Sequence, residues 1–181
     1  MRCSAVLLAG GKSSRMGRDK AFLEFEGEPL WRHQVATLKK LAPAQLMIAG
    51  PTRPEWSEHE IVTDEIADAG PLAGVAAALR KCTAPLLVVL AVDLPRMSAD
   101  FLLSLFRDAQ GAVPGGPDGF EPLAAVYPAA CASLAARALR SGDFSMQNFV
   151  RKAVDQGLVA EREFSPSERM LFANLNTRAD L

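Results

Sequence analysis

The chain has 181 residues, of which 49% are apolar, and its 20 Lys and Arg side chains nearly balance its 21 Asp and Glu side chains. This length and composition predict one globular domain with a sizeable core and exclude a disordered chain. The formal net charge of −1 supplies no extended positive field, which disfavours a DNA or RNA partner.

Strands and helices are predicted to alternate through residues 1–110. Apolar runs that end at glycine or aspartate predict buried strands over residues 5–9, 45–49, 61–63 and 86–92. Apolar positions at helical spacing predict a helix from Pro29 to about Pro43, an alanine-rich helix over 70–81 and a third helix capped by Ser98. This alternation favours a mostly parallel α/β sheet covered by helices.

The second part of the chain has a different composition. Residues 111–122 contain four glycines and three prolines, which predict a long loop or a hairpin. Two interpretations of this stretch stay open, a wall of a binding site or a mobile connector. A strand over 123–127 and two helices over about 129–141 and 145–156 follow, each helix ending at a glycine suited to a left-handed cap. A turn over 174–177 is expected to cap a last short helix.

The cysteines and the N-terminal residues indicate the compartment. Cys3, Cys82 and Cys131 are far apart and odd in number, which favours buried thiols under reducing conditions. The apolar run at residues 5–9 is too short for a signal-peptide core, and no run approaches the length of a membrane span. We therefore expect a cytoplasmic protein that does not bind a membrane.

Glycine and positive charge are concentrated in the loop after the first strand. Gly10 and Gly11 permit close approach of backbone N–H groups to a phosphate, and four cations follow within nine residues: Lys12, Arg15, Arg18 and Lys20. The loop is not a Walker A motif, because the position six residues before Lys12 is valine, and it lacks the glycine spacing of a dinucleotide fingerprint. A phosphate cradle and a surface turn with solvated charges remain equally open.

Two aspartates end predicted strands at what we expect to be the same edge of the sheet. Asp93 follows the most apolar strand, and Asp64 follows a shorter one. Each aspartate is either a cap for the next turn or a site group, and Asp93 is suited to hold Mg²⁺ together with substrate phosphates. Together with the glycine loop, they favour a nucleotide–metal site.

Residues 8–20, which read L-A-G-G-K-S-S-R-M-G-R-D-K, resemble the signature of the molybdenum cofactor guanylyltransferases. Four further blocks resemble the family in the same order, so that the resemblance covers essentially the whole chain: GPLAG at 70–74, VDLP at 92–95, EPLAAVY at 121–127 and NLNT at 174–177 followed by Asp180 and Leu181. Asp19 is typical of this branch, because related sugar-phosphate and terpenoid-pathway nucleotidyltransferases usually lack an aspartate before the lysine.

This resemblance implies a Rossmann-like fold of the nucleotide-diphospho-sugar transferase type, with nucleotide-binding residues in 1–110 and acceptor-binding residues in 111–181. The resemblance implies catalysis by Arg15, Lys20 and Asp93, with Mg²⁺ bound by Asp93. It implies acceptor binding by Pro122, Asn174 and Asn176. The residues implied in nucleotide binding are Leu8, Ala9, Gly10, Gly11, Lys20, Asp64, Gly70, Pro71, Gly74 and Asp93. The chain departs from the family at Ala49, where an asparagine that helps to bind the nucleotide is common, and at Arg178, which replaces a proline.

The activity implied by the resemblance is transfer of GMP from Mg·GTP to molybdopterin, with release of pyrophosphate. Transient contact with proteins that mature molybdoenzymes is a further expectation. A transferase that uses CTP or another phosphorylated acceptor and a non-catalytic subunit that binds nucleotide and delivers cofactor remain the alternatives.

Overall fold

The computed structural model of the chain describes residues 2–10, 19–63, 66, 69–107 and 110–175. Its strands are β1 (Cys3–Leu8), β2 (Glu24–Phe25), β3 (Glu28–Pro29), β4 (Gln45–Ala49), β5 (Glu60–Val62), β6 (Leu86–Ala91), β7 (Ala112–Gly116), β8 (Gly119–Phe120), β9 (Ala124–Pro128) and β10 (Ala160–Glu163). Its α-helices are α1 (Leu30–Lys39), α2 (Pro71–Lys81), α3 (Ala99–Ser104), α4 (Ala132–Arg140) and α5 (Met146–Asp155).

The described strands form a central sheet in the order β5-β4-β1-β6-β9. β1 pairs in parallel with both β4 and β6, β4 pairs in parallel with β5, and β9 runs antiparallel to β6. The mostly parallel sheet predicted from the alternating pattern is therefore confirmed. Because the strands on both sides of β1 run in its direction, their carboxyl ends meet at one edge of the sheet.

An apolar core lies on each face of this sheet. Alternate residues of β1 point to opposite faces, so that Ala5 and Leu7 join one core while Val6 and Leu8 join the other. Helices α1 and α3 cover the first face, and α2, α4 and α5 cover the second. The sheet is thereby buried on both faces, which explains why its strands are continuous apolar runs in the sequence.

Residues 111–122 form the hairpin that was one of the two predicted possibilities. β7 pairs antiparallel with β8 and parallel with β10, giving a small sheet in the order β10-β7-β8. The N–H of Glu121 donates to the carbonyl of Pro114 at 2.8 Å and so joins the two sides of the hairpin beyond its last ladder pair. The stretch is thus an ordered part of a second sheet.

The predicted helix ends are largely confirmed. Ser98 caps α3 through its side chain, and Gly142 and Gly157 have the left-handed φ values of +76° and +66° expected after α4 and α5. Pro29 precedes α1 as its N-cap, so the prediction that it is the first helical residue was wrong. The last helix is a 3₁₀ turn at Arg169–Phe172, and residues 176–177 of the predicted terminal turn lie outside the described residues.

Cys3, Cys82 and Cys131 are all thiols in the structure, and Cys3 and Cys131 are buried as expected, whereas Cys82 is partly exposed. Burial raises the pKa of the Cys131 thiol to about 12. Among the described helices, none has both the length and the apolar surface that crossing a bilayer requires.

Candidate active site

A cavity of about 270 Å³ opens at the edge where the parallel strands of the central sheet end. The residues that line it are Leu8, Ala9, Gly10, Asp19, Lys20, Pro71, Ala91, Val92, Asp93 and Leu123. Six residues predicted for the site therefore lie together: Leu8, Ala9 and Gly10 at and just after the end of β1, Lys20 at the start of a 3₁₀ turn, Pro71 at the start of α2, and Asp93 just after β6. Ligands of open α/β sheets bind in this position.

Lys20 and Asp93 form an ion pair inside this cavity. Lys20 Nζ lies 3.1 Å from Asp93 Oδ2, and the two side chains are 31% and 24% exposed. Seventy-three positions separate them in the sequence. The segment after the glycine-rich loop and the end of β6 therefore bring the Lys20 ammonium and the Asp93 carboxylate together, where both are partly exposed to water.

The turn that carries Asp93 is held by three other parts of the chain: β1, the C-terminal segment and α1. The N–H of Val92 donates to the carbonyl of Leu8 at 3.1 Å, and the N–H of Leu175 donates to the carbonyl of Asp93 at 2.9 Å. From α1, the fully buried side chain of Gln34 donates through Nε2 to the carbonyl of Leu94 at 2.5 Å. These bonds fix the backbone on both sides of the Asp93 carboxylate.

His33, the residue before Gln34 on α1, contacts the same turn. Its Nε2 lies 3.1 Å from the carbonyl oxygen of Pro95, which can only accept, so the proton is on Nε2.

Gly10 and Gly50 make the closest backbone approach at this edge. A Cβ on Gly50 would lie 3.0 Å from the Gly10 nitrogen and 3.2 Å from the Ala9 carbonyl carbon. The N–H of Ala9 donates to the carbonyl of Ala49 at 2.9 Å in the same region. The end of β4 thus packs directly under the start of the glycine-rich loop, and Ala49 itself is only 3% exposed.

Arg53 is a site-adjacent residue that the sequence analysis missed. Its Nη2 forms an ion pair with Asp19 Oδ2, while Asp19 Oδ1 accepts from the N–H of Ala21 at 3.1 Å. The partners Asp19 and Arg53 are 34 positions apart, in a loop and in the connection after β4, so no local spacing pattern links them.

The other predicted site residues have different surroundings. Gly70 precedes α2 with a left-handed φ of +64°, whereas Gly74 is buried within α2 and does not line the cavity. Pro122 is buried, and its carbonyl accepts from the Tyr127 hydroxyl at 2.8 Å. Asn174 is exposed next to Leu175. The remaining four, Gly11, Arg15, Asp64 and Asn176, lie outside the described residues.

Asp93 is the described carboxylate best placed for a divalent cation. Among the residues that the structure describes, no three His, Cys, Asp or Glu side chains cluster as a complete metal site. A site with one protein carboxylate is nevertheless suited to Mg²⁺, which is commonly held by one or two carboxylates and by substrate phosphates. The partly exposed oxygens of Asp93 beside the Lys20 cation fit that arrangement.

Comparison with known proteins agrees with this geometry. Residues 5–157 match the MobA-like NTP transferase domain. The chain is 40% identical over 185 residues to a probable molybdenum cofactor guanylyltransferase of Opitutus terrae, an alignment that covers 98% of this chain and 92% of that protein.

Two solved structures share the fold. The molybdopterin-guanine dinucleotide biosynthesis protein A of Archaeoglobus fulgidus superposes with a TM-score of 0.75 at 24% identity, over 99% of this chain and 94% of that one. The 2-C-methyl-D-erythritol 4-phosphate cytidylyltransferase of Thermus thermophilus gives a TM-score of 0.69 at 19% identity, over 97% and 93% of the two chains. The expected nucleotide-diphospho-sugar transferase type of fold is confirmed.

Proposed function

Since the chain belongs to the MobA-like NTP transferase family, we propose that it transfers GMP from GTP to molybdopterin, releasing pyrophosphate and forming molybdopterin guanine dinucleotide. The relative from Opitutus terrae, which matches nearly the full chain, carries the name of this activity. Among the described residues that line the cavity, none favours the alternative acceptors or a delivery role without catalysis.

The observation that carries the proposal is the Lys20–Asp93 pair at 3.1 Å. A subunit that only binds nucleotide has little need for a carboxylate directed at the same point as a phosphate-binding cation. The pair lies beside the ends of β1 and β6, where Gly10 in the cavity lining leaves room for a polyphosphate chain to approach the backbone.

The proposed reaction is an in-line attack of the terminal phosphate oxygen of the acceptor on the α-phosphorus of GTP. The O–P bond to the acceptor forms while the bond to pyrophosphate breaks, and the electron pair of that bond leaves on pyrophosphate. Both reactants are anions, so positioning and charge neutralisation supply most of the catalysis. The attacking phosphate is already largely ionised near neutral pH, and a general base is not required.

Lys20 has the main described role in this step. Its ammonium group is placed to neutralise the phosphates of the nucleotide and the charge that develops on pyrophosphate. We assign the same role to Arg15, which lies outside the described residues. Leu8, Ala9 and Gly10 offer backbone groups to the nucleotide, and Gly70 and Pro71 position the start of α2 beside it.

We propose that Asp93 holds Mg²⁺ together with the phosphates of GTP. When bound there, Mg²⁺ would supply Lewis-acid chemistry by withdrawing negative charge from the phosphates of the nucleotide. The chain itself supplies the carboxylate, fixed by the backbone bonds from Val92 and Leu175, and keeps Lys20 beside it. We assign acceptor binding to Pro122, Asn174 and Asn176. We propose that the reaction takes place in the cytoplasm.

A nucleotide screen tests the proposal. Purified protein with Mg²⁺ and molybdopterin is given GTP, CTP, ATP or UTP, and pyrophosphate release is measured for each. We expect release with GTP. A preference for CTP would contradict the guanylyl assignment, which matters because Ala49 stands where the resembling family commonly has asparagine. No release with any nucleotide would contradict the pterin reaction as a whole.

A further inference from the structure

Asp19 lies between two cavities of the protein. It lines the candidate active site and also a neighbouring cavity of about 1010 Å³, whose other walls include Phe22 and Arg53. We propose that Arg53 is a positioning residue for the transfer reaction. Through its ion pair with Asp19, Arg53 fixes the turn that carries Lys20 and so keeps the Lys20 ammonium beside Asp93. As a statement about that reaction, this inference rests on the proposed function.

The two oxygens of Asp19 have separate partners. Oδ2 forms the ion pair with Arg53 Nη2, and Oδ1 accepts from the N–H of Ala21 at 3.1 Å. The second contact makes Asp19 the cap of the 3₁₀ turn Lys20–Phe22. Lys20 is the first residue of that turn, so the orientation of the Asp19 carboxylate sets the direction in which the Lys20 side chain leaves the backbone.

Arg53 is itself fixed against an aromatic surface. Its guanidinium carbon lies 5.3 Å from the centre of the Phe22 ring and 5.7 Å from that of Trp56, and the two rings are stacked at 6.0 Å. Trp56 is fully buried. Phe22 belongs to the same 3₁₀ turn as Lys20, so Arg53 contacts this turn through both its charge and its stacking surface.

The anchor of Arg53 is the central sheet. Arg53 follows β4 by four positions, and at the end of β4 the backbone of Gly50 packs against Gly10 more closely than a Cβ on Gly50 would normally allow. Arg53 therefore anchors the Lys20 turn to the end of β4, the same strand end that packs against Gly10.

Charge gives a second reason for an arginine at this position. An unpaired Asp19 carboxylate on the cavity wall would repel an incoming polyphosphate. Arg53 neutralises it from the side of the larger cavity and leaves the Lys20 ammonium beside Asp93. Lysine at position 53 would keep the charge but lose the planar fork and the stacking on Phe22 and Trp56.

Labelling of amines tests this inference without relying on turnover. The full chain is treated with a limiting amount of an acylating ester, and modification of each lysine is followed by mass spectrometry. In Arg53→Gln and in Asp19→Asn, we expect Lys20 to be acylated about threefold faster than in the wild type, because the ammonium is no longer held at Asp93. Arg53→Lys should give an intermediate rate.

Lys152 is the internal control. Lys152 lies on α5 and forms an ion pair at 2.9 Å with Asp143, which precedes that helix. Neither residue lines either cavity, so the acylation rate of Lys152 should not change. A general loosening of the fold would instead accelerate both lysines. An unchanged Lys20 rate in Arg53→Gln and Asp19→Asn would overturn the inference.

Pyrophosphate release with GTP and molybdopterin separates positioning from direct contact. If Arg53 acts through Asp19 and Lys20, Arg53→Gln should lower kcat about tenfold in the wild-type background and have little further effect in a Lys20→Ala background. Additive losses would show that Arg53 contacts substrate itself and would overturn the positioning role. If the labelling result holds while the wild type releases no pyrophosphate, the proposed function fails and the positioning of Lys20 stands.

Discussion

The N–H of Leu175 donates to the carbonyl of Asp93 at 2.9 Å, which joins the C-terminal segment to the turn that carries the candidate metal ligand. The bond uses backbone atoms alone, so it does not depend on the charge of Asp93. It also places Asn174, one of the residues that we assign to the acceptor, next to Leu175, which contacts the backbone of Asp93. Substitution of the Asp93 side chain therefore tests the chemistry without removing this link.

Asp93→Asn should abolish the response to Mg²⁺ while leaving nucleotide binding intact. The amide is a poor ligand for Mg²⁺, but it no longer neutralises Lys20, so metal-free GTP should bind as tightly as to the wild type or more tightly. Calorimetric Kd values with chelator and with Mg²⁺ measure both effects, and kcat/KM should fall about a hundredfold or more. If Mg²⁺ strengthened GTP binding equally in both proteins, Asp93 would not be a metal ligand.

Lys20→Ala should lower kcat/KM for GTP about a hundredfold, on the order of 3 kcal/mol of transition-state stabilisation. The reason is that Lys20 neutralises charge that grows as pyrophosphate leaves. Steady-state pyrophosphate release measures the change, and Lys152→Ala is the matched control because Lys152 lies on α5 and its ion pair is outside the cavity lining. A change within about twofold would remove Lys20 from the reaction.

Gly50→Ala should destabilise the protein and weaken nucleotide binding together. The new Cβ would lie 3.0 Å from the Gly10 nitrogen, so the end of β4 must move away from the loop, at about 1–3 kcal/mol in the free energy of unfolding. Gly157→Ala is the control, because it strains a left-handed φ of +66° with no neighbour within 4 Å of the new Cβ. It should lower stability without changing the Kd for GTP. Equal Kd effects in both variants would contradict the close-approach explanation.

The central sheet was predictable because its inner strands β1 and β6 are buried along their whole length and appear as apolar runs. β10 was missed since its residues alternate between half-buried and exposed and include three charged side chains, and its partner β7 contains a proline and two glycines. Such strands are specified by pairing at long range, and local propensity does not favour them. β2 and β3 were not predicted for a different reason: each is only two residues long, and they pair with each other in a short local hairpin.

The site residues also separate into those that a local sequence pattern indicates and those that only long-range contacts bring together. Gly10, Lys20 and Asp93 were identified because each follows a recognisable strand or lies in a motif. Arg53 was not, since its importance arises from a carboxylate 34 positions away and from rings that the fold brings beside it. Gly74 was also predicted from its motif position; it lies buried within α2 and outside the cavity lining, so its contact with the nucleotide stays a prediction.

Glu168→Gln should destabilise the C-terminal segment in a pH-dependent way. Hydrogen bonds from Arg162, which stacks on Phe101 at 4.7 Å, and from Ser165 hold the pKa of the Glu168 carboxyl at about 2, below its ordinary value of 4.5. A lowered pKa means that the stabilisation is complete above pH 4.5 and is lost as the pH falls towards 2. We therefore expect the variant to unfold about 2 °C lower than the wild type at pH 7, with the difference in Tm vanishing towards pH 2.

Thermal unfolding at several pH values measures the Glu168 effect, with Glu163→Gln on β10 as the control for removing an exposed carboxylate. A Tm difference that stayed constant down to acidic pH would show that the Arg162–Glu168 ion pair is not its cause.

Tyr127→Phe tests whether the Pro122 segment contacts the acceptor. The buried Tyr127 hydroxyl, whose pKa is raised well above its ordinary value by burial, donates to the Pro122 carbonyl at 2.8 Å. Its removal leaves that buried carbonyl without this partner and should cost about 1–2 kcal/mol in the free energy of unfolding. The loosened segment should raise KM for molybdopterin several-fold and leave KM for GTP unchanged, when both are measured well below the Tm of the variant. An equal rise in both KM values would place Pro122 in the general fold of the site, and an unchanged KM for molybdopterin would remove it from the acceptor side.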